Sequence, residues 1–268
     1  MSLNLKQMAP EGVMIAGGGR AILLQIAHPS VGYGVARHSS FAKDPLKRLH
    51  GTLTYIYALT NGTPQQAKKV VEWVSRAHEP VQSPGGPDHP AYNASDPDLQ
   101  LWVAATLYDS AILVYENMFG RLSRADADTI YCEYAVLGTA LGMPAEKWPG
   151  SRAEFREYWY DAAAQLTVDA PVREVAAELM RPQNAPPYVK ALLPIARILT
   201  AGMLPPTLRE AYGSWVFGGA YGTKQDLVYR ALMASGGVVL PTLPLSARQA
   251  PMRYYLRRLG GNLPTIEA

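Results

Sequence analysis

The chain reads as an all-α fold, on three observations. Apolar residues recur at helical spacing between punctuating Gly and Pro; alternating strand patterns with turn dipeptides are scarce; and no fixed-period repeat or low-complexity tract replaces a packed core. The periodicity predicts helices over residues 19–27, 45–60, 64–79, 97–119, 123–141, 151–166, 171–180, 187–201, 205–215 and 223–235. No linker divides them, so we read one helical domain over residues 1–268.

The first helix follows Gly17-Gly18-Gly19-Arg20. That run lacks the G-x-G-x-x-G spacing and follows no strand, so it reads as a flexible turn rather than a phosphate cradle. The helices over 45–60 and 64–79 open on Pro45 and Pro64; the second is charged and amphipathic, closes in RAHEPV, and is stopped by Pro80. The Pro- and Gly-rich segment 82–94 reads as a loop without regular structure. Ser95-Asp96-Pro97-Asp98 then supplies a side-chain cap and a proline at the first helical position. The helix it starts is apolar nearly all round, as expected of a helix buried in the middle of a domain. Asp109 interrupts it and requires a partner, because a buried unpaired carboxylate is costly. Ser123, three residues before Asp126, starts the next helix.

The 268 residues suffice to bury a sizeable core. A formal charge of +3 and a pI near 8.9 are mild, and the basic residues are dispersed except for Arg253, Arg257 and Arg258, which is not the stripe of a nucleic-acid binder. A single cysteine, Cys132, excludes an internal disulfide framework and paired-thiol zinc signatures. With no basic-then-apolar leader at the N-terminus, the expected setting is a reducing cytoplasm. The nearly uncharged stretch 231–249 is interrupted by Gly236, Gly237, Pro241 and Pro244, so it is not expected to span a membrane, though contact with a membrane surface or an oily substrate stays open. No G-x-S-x-G elbow is present. The sixteen tyrosines and five tryptophans suit core packing or a large apolar pocket.

Arg48 and Thr52 lie four apart on one helix face, and His78 lies just before the Pro80 that ends the next helix. A cationic donor, a hydroxyl and an imidazole are the groups expected around a bound metal cofactor and its oxygen ligand. Plainer roles exist: His78 can interact with the helix dipole, and Arg48 can pair with Asp44. The remaining histidines, His28, His38, His50 and His89, offer no i, i+4 zinc spacing; the first three read as structural and His89 as exposed.

The run 18–52, with QIAHPSVGYGVARHSSFAKDPLKRLHGT, followed by RAHEPV and NASDPDLQLWVAATLYDSA, resembles the DUF2236 family, which includes the mpaB-type oxygenases and the rubber oxygenases called latex clearing proteins. The resemblance continues through LGTALGMPAEKWPGSRAEFREYW into LPPTLREAYG. It implies an all-helical, globin-like fold carrying a b-type haem, with iron held by a histidine and dioxygen used on apolar substrates. By the same resemblance Arg48 and Thr52 take distal positions and His78 is the axial iron ligand. Three departures stand out. Gly51 replaces the lysine found before the threonine in rubber oxygenases, WVAATL at 102–107 lacks a histidine that many relatives carry in W-V-H-A-T-L, and no carboxylate base stands near Gly32. They argue against polyisoprene as substrate.

The expectation is therefore a haem b-dependent oxidoreductase, oxygenase-like, acting with dioxygen on a small or medium apolar molecule, with no nucleic-acid partner and no transmembrane segment. The alternatives are a haem oxidase or peroxidase that inserts no oxygen, and a non-enzymatic haem carrier or sensor.

Overall fold

The structure is a computed structural model; it describes residues 2–38, 45–182 and 184–260, and it is all-α. The helices run α1 (Leu5–Met8), α2 (Gly18–Ala27), α3 (Pro29–His38), α4 (Pro45–Asn61), α5 (Pro64–His78), α6 (Pro97–Phe119), α7 (Arg124–Tyr134), α8 (Val136–Thr139), α9 (Arg152–Ala164), α10 (Ala170–Met180), α11 (Pro187–Met203), α12 (Pro206–Phe217), α13 (Thr223–Val239), α14 (Leu245–Arg248) and α15 (Ala250–Leu259). Short 3-10 turns lie at Gly12–Gly17, Ala145–Lys147 and Leu240–Thr242.

Local chemistry sets many of the starts. Thr63 caps α5 through Gln66 N with Pro64 at the first turn, and Asp96 accepts from Asp98 N ahead of Pro97 in α6. Ser123, Ser151 and Asp169 do the same for α7, α9 and α10.

The all-round apolar α6 is the centre of the fold, as its sequence implies. It packs on α2, α13, α7, α8 and the Gly12–Gly17 turn, with Trp102, Ala105, Thr106 and Val114 buried. Around Tyr108 gather Tyr131, Trp148 and Phe155, the Tyr108 and Phe155 rings meeting edge-on at 4.9 Å.

The partner that Asp109 needs is Arg20. Its Nη2 stands 2.6 Å from Asp109 Oδ2, its Nη1 donates to Ser110 Oγ at 2.8 Å, and its Nε donates to the Met203 carbonyl at 2.9 Å. One guanidinium thus ties α2 to α6 and α11. The glycine run before it is not a flexible turn. A Cβ at Gly19 would stand 2.1 Å from Thr200 Oγ1, so glycine is what allows α2 to touch α11.

Further expectations are corrected. Residues 29–38, for which no helix is predicted, form α3, because Gly32 sits where a Cβ would meet the Ile26 carbonyl at 2.3 Å and serves close packing rather than a break. The helix expected over 123–141 ends at Tyr134 and resumes as the single turn α8. The segment 82–94 contains a short antiparallel ladder, β1 (Gln82–Ser83) on β2 (Tyr92–Asn93), with a bridge between Gly86 and His89. No helix is predicted over 250–259 either, where α15 forms, and α12 is interrupted at Gly213, whose φ is 75°.

Removing the carboxylate from the Arg20 site leaves a buried charge short of its counter-ion. Asp109→Ala is expected to lower the unfolding free energy by about 3 kcal/mol, the low end for breaking a buried pair because Asp109 keeps some solvent contact. Urea unfolding checks this; a loss near that of an exposed pair, about 0.5 kcal/mol, would show that Arg20 is held by its other two partners alone.

Candidate functional site

Four helices each present one stripe of residues to a single cavity of about 400 Å³. From α4 come Arg48, Gly51, Thr52 and Tyr55, spaced i, i+3, i+4, i+7; from α5 come Trp73, Val74, Ala77 and His78. Helix α3 adds Val31, Gly34, Val35 and His38, and α6 adds Gln100, Val103, Ala104 and Leu107. Gln25 of α2, Tyr92 of β2, Leu137 and Leu141 also line it, as does Lys47 of α4.

All three residues singled out in the sequence therefore meet at one cavity. His78 closes α5, where its carbonyl accepts from Val81 N as the chain turns. Burial pushes its imidazole down to about 4, with the positive charge of Arg48 acting in the same direction, so the ring is neutral near pH 7. Burial also lowers the Arg48 guanidinium to about 10, which still leaves it charged. Asp44, the ion-pair partner considered for Arg48, lies outside the described residues. Among the described lining residues the charged ones are Lys47 and Arg48, and no carboxylate is present.

The other histidines separate clearly. His38 also lines the cavity, its Nε2 2.9 Å from Tyr92 Oη. His50 turns away to pair its Nδ1 with Tyr255 Oη on α15. His28 packs near Trp102 with a buried Nδ1 that has no hydrogen-bond partner, and burial lowers its pKa. His89 is half-buried rather than exposed; its Nδ1 lies 2.9 Å from the Pro90 carbonyl and its ring stacks on Tyr33.

Two cavity residues escape the sequence reading. Trp73 Nε1 is buried without a hydrogen-bond partner, and so is Gln100 Oε1, although Gln100 Nε2 donates to the carbonyls of Ala94 and Leu141 at 3.3 and 3.2 Å. Both atoms are buried within the cavity wall. The Trp73 ring packs closely on Gly51: a Cβ there would stand 3.2 Å from Trp73 Cη2. The i, i+3, i+4, i+7 stripe Val70, Trp73, Val74, Ala77 was the available signal, but it does not distinguish a cavity wall from core.

An all-α fold enclosing an apolar cavity with a neutral imidazole and a charged wall defines a buried small-molecule site. The family described as ER-bound oxygenase mpaB/B'/rubber oxygenase, catalytic domain, matches residues 5–235, and the chain belongs to it. Proteins of Mycobacterium bovis and Mycobacterium tuberculosis, both described only as uncharacterized, are each 37% identical over 193 residues, which cover 70% of this chain and 75% of theirs. No solved structure matches. No described helix is long and apolar enough to cross a membrane.

In protein stripped of any metal, the His78 ring is expected to titrate near 4 rather than at the ordinary 6.5. Between those values the unfolded chain binds the proton and the native state does not, so this contribution to stability is complete above 6.5 and falls away as the pH drops toward 4. An NMR titration of the imidazole reads the midpoint; a value at 6.5 would mean that the ring is solvated.

Proposed function

We propose that the chain is a haem b-dependent oxidoreductase of the oxygenase type, acting with dioxygen on a small or medium apolar molecule. The observation that carries this reading is that His78, Arg48 and Thr52 line one cavity with a neutral imidazole among them.

The residues present suit such a group. Among the described residues no cluster of three or more His, Cys, Asp or Glu is placed to hold a metal ion. Haem needs only one such donor, because the macrocycle supplies the equatorial nitrogens. A cavity of about 400 Å³ lies within the range for small-molecule and cofactor sites, about 300–1,000 Å³. Its charged lining residues are cations, which complement the propionates of haem b.

On this reading His78 holds the iron through a ring nitrogen that needs no deprotonation. When bound, haem b supplies the redox-active iron that uses dioxygen. Arg48 puts a fixed positive charge into a low-dielectric space, where it stabilises negative charge developing on a reacting oxygen. Thr52, one turn along α4, offers a hydroxyl that passes or orients a proton. Val31, Val35, Val103, Leu107 and Leu141 keep water out and receive an apolar substrate. Cys132, exposed and free, suits a reducing cytoplasm. Non-catalytic haem carriage is the second reading, favoured by His38, which brings a second imidazole to the same cavity.

The purified protein is expected to show a Soret band and to incorporate labelled dioxygen into product. Turnover without label would indicate an oxidase or peroxidase, and haem without turnover a carrier. Arg48→Ala and Thr52→Ala are expected to keep the haem and slow turnover about 10²-fold or more, as positioned charges and proton donors do. Unchanged turnover per folded molecule, with Arg48→Ala merely less stable, would return Arg48 to a structural role.

A further inference from the structure

We propose that the C-terminal face, built from the end of α13, the turn Leu240–Thr242, α14 and α15, docks on an anionic lipid bilayer. It lies almost wholly beyond residue 235, where the family match ends, and it draws on no residue of the cavity.

Apolar side chains stand out into solvent here. Val238 is 72% exposed, Val239 52%, Leu245 56% and Tyr254 52%, and Leu243 continues the run. The end of α13 packs on the turn Leu240–Thr242 and α14 packs on α15, so these side chains stand along connected elements, although Leu192, Trp215 and Leu227 are exposed elsewhere.

Charge then selects the partner. Residues 227–260 contain five arginines and neither Asp nor Glu. Arg230 pairs with Asp226 and Arg248 with Glu11, which leaves Arg253, Arg257 and Arg258 around a shallow hollow shared with Ser246 and Tyr254. Arg253 donates to the Ser246 carbonyl, and Arg258 Nη1 donates to Tyr254 Oη at 2.8 Å, so α15 holds its arginines beside the exposed end of α14. The imbalance extends further: residues 181–260 hold ten Lys and Arg against two Asp and Glu, whereas residues 1–180 hold fifteen against nineteen.

A second copy of the chain fits this face poorly. Two-fold pairing sets a patch against itself, and here it would oppose arginine to arginine with no carboxylate between them. Nucleic acid would meet the arginines but leave Val238, Val239 and Leu245 in water. A bilayer satisfies both: apolar side chains enter the acyl boundary while guanidinium groups meet phosphates at the headgroups. With no described helix able to span, the mode is surface docking.

The test is sedimentation of the full chain with vesicles of phosphatidylcholine alone or mixed equally with phosphatidylglycerol. The protein is expected to sediment with the mixed vesicles, not with phosphatidylcholine alone, and to be released by salt. Arg253→Gln/Arg257→Gln/Arg258→Gln is expected to weaken binding about 100-fold, from about fivefold per interfacial arginine. Val238→Ser/Leu245→Ser, which keeps every arginine, is expected to lose binding at low salt with an unchanged circular dichroism spectrum. The proposal is overturned if wild-type protein ignores the mixed vesicles. It is also overturned if the serine variant binds them as wild type does and duplex DNA binds equally well, or if the face instead forms a dimer that the same substitutions dissociate. None of these outcomes depends on haem, so the reading of the cavity stands or falls separately.

Discussion

Arg20 places a permanent charge, 7% exposed, among three helices, and a charge at that depth is tolerable only if its donors are met. Asp109, Ser110 Oγ and the Met203 carbonyl meet them, which fixes α2, α6 and α11 relative to one another. About one and a half turns along α2, Gln25 Nε2 donates to Thr106 Oγ1 at 3.0 Å and repeats the tie to α6. The same α6 carries Gln100, Val103, Ala104 and Leu107 to the cavity, and Gln25 itself lines it. The wall of the site is therefore positioned by a polar network laid through the core beside it. Such a network specifies one arrangement because each alternative leaves a buried group unpaired.

Inside the cavity a low dielectric acts in two ways. It holds His78 neutral, the state a metal ligand requires, and it strengthens the influence of Arg48 on everything nearby, His78 included. Gly51 leaves room for the benzo edge of the Trp73 indole against α4.

Much of this was legible in the chain. Asp96-Pro97 starts α6 as written, because cap and proline act within one turn. The need of Asp109 for a partner was also legible, but not that the partner is Arg20, which lies 89 positions away. Arg48 and Thr52 share a face by spacing alone; that His78 joins them was readable only through the family pattern. No helix is predicted where α3 forms; its Gly32 and Gly34 admit the Ile26 carbonyl and the Tyr92 ring, contacts that exist only in the fold. Trp73 and Gln100 gave no signal, since an unpartnered buried atom exists only once the neighbours are placed. No helix is predicted where α15 forms, although Arg253 and Arg257, and Tyr254 and Arg258, stand four apart.

The central claim is that His78 is the one protein group that holds the iron, and the measurement that tests it most directly is haem content of His78→Gly with and without added imidazole, beside His38→Gly. The account predicts that His78→Gly is purified largely free of haem, takes it up with a restored Soret band when imidazole fills the space left by the side chain, and differs in this from His38→Gly, which keeps its haem throughout. Full haem content in His78→Gly without imidazole, or loss of haem in His38→Gly alone, would contradict it.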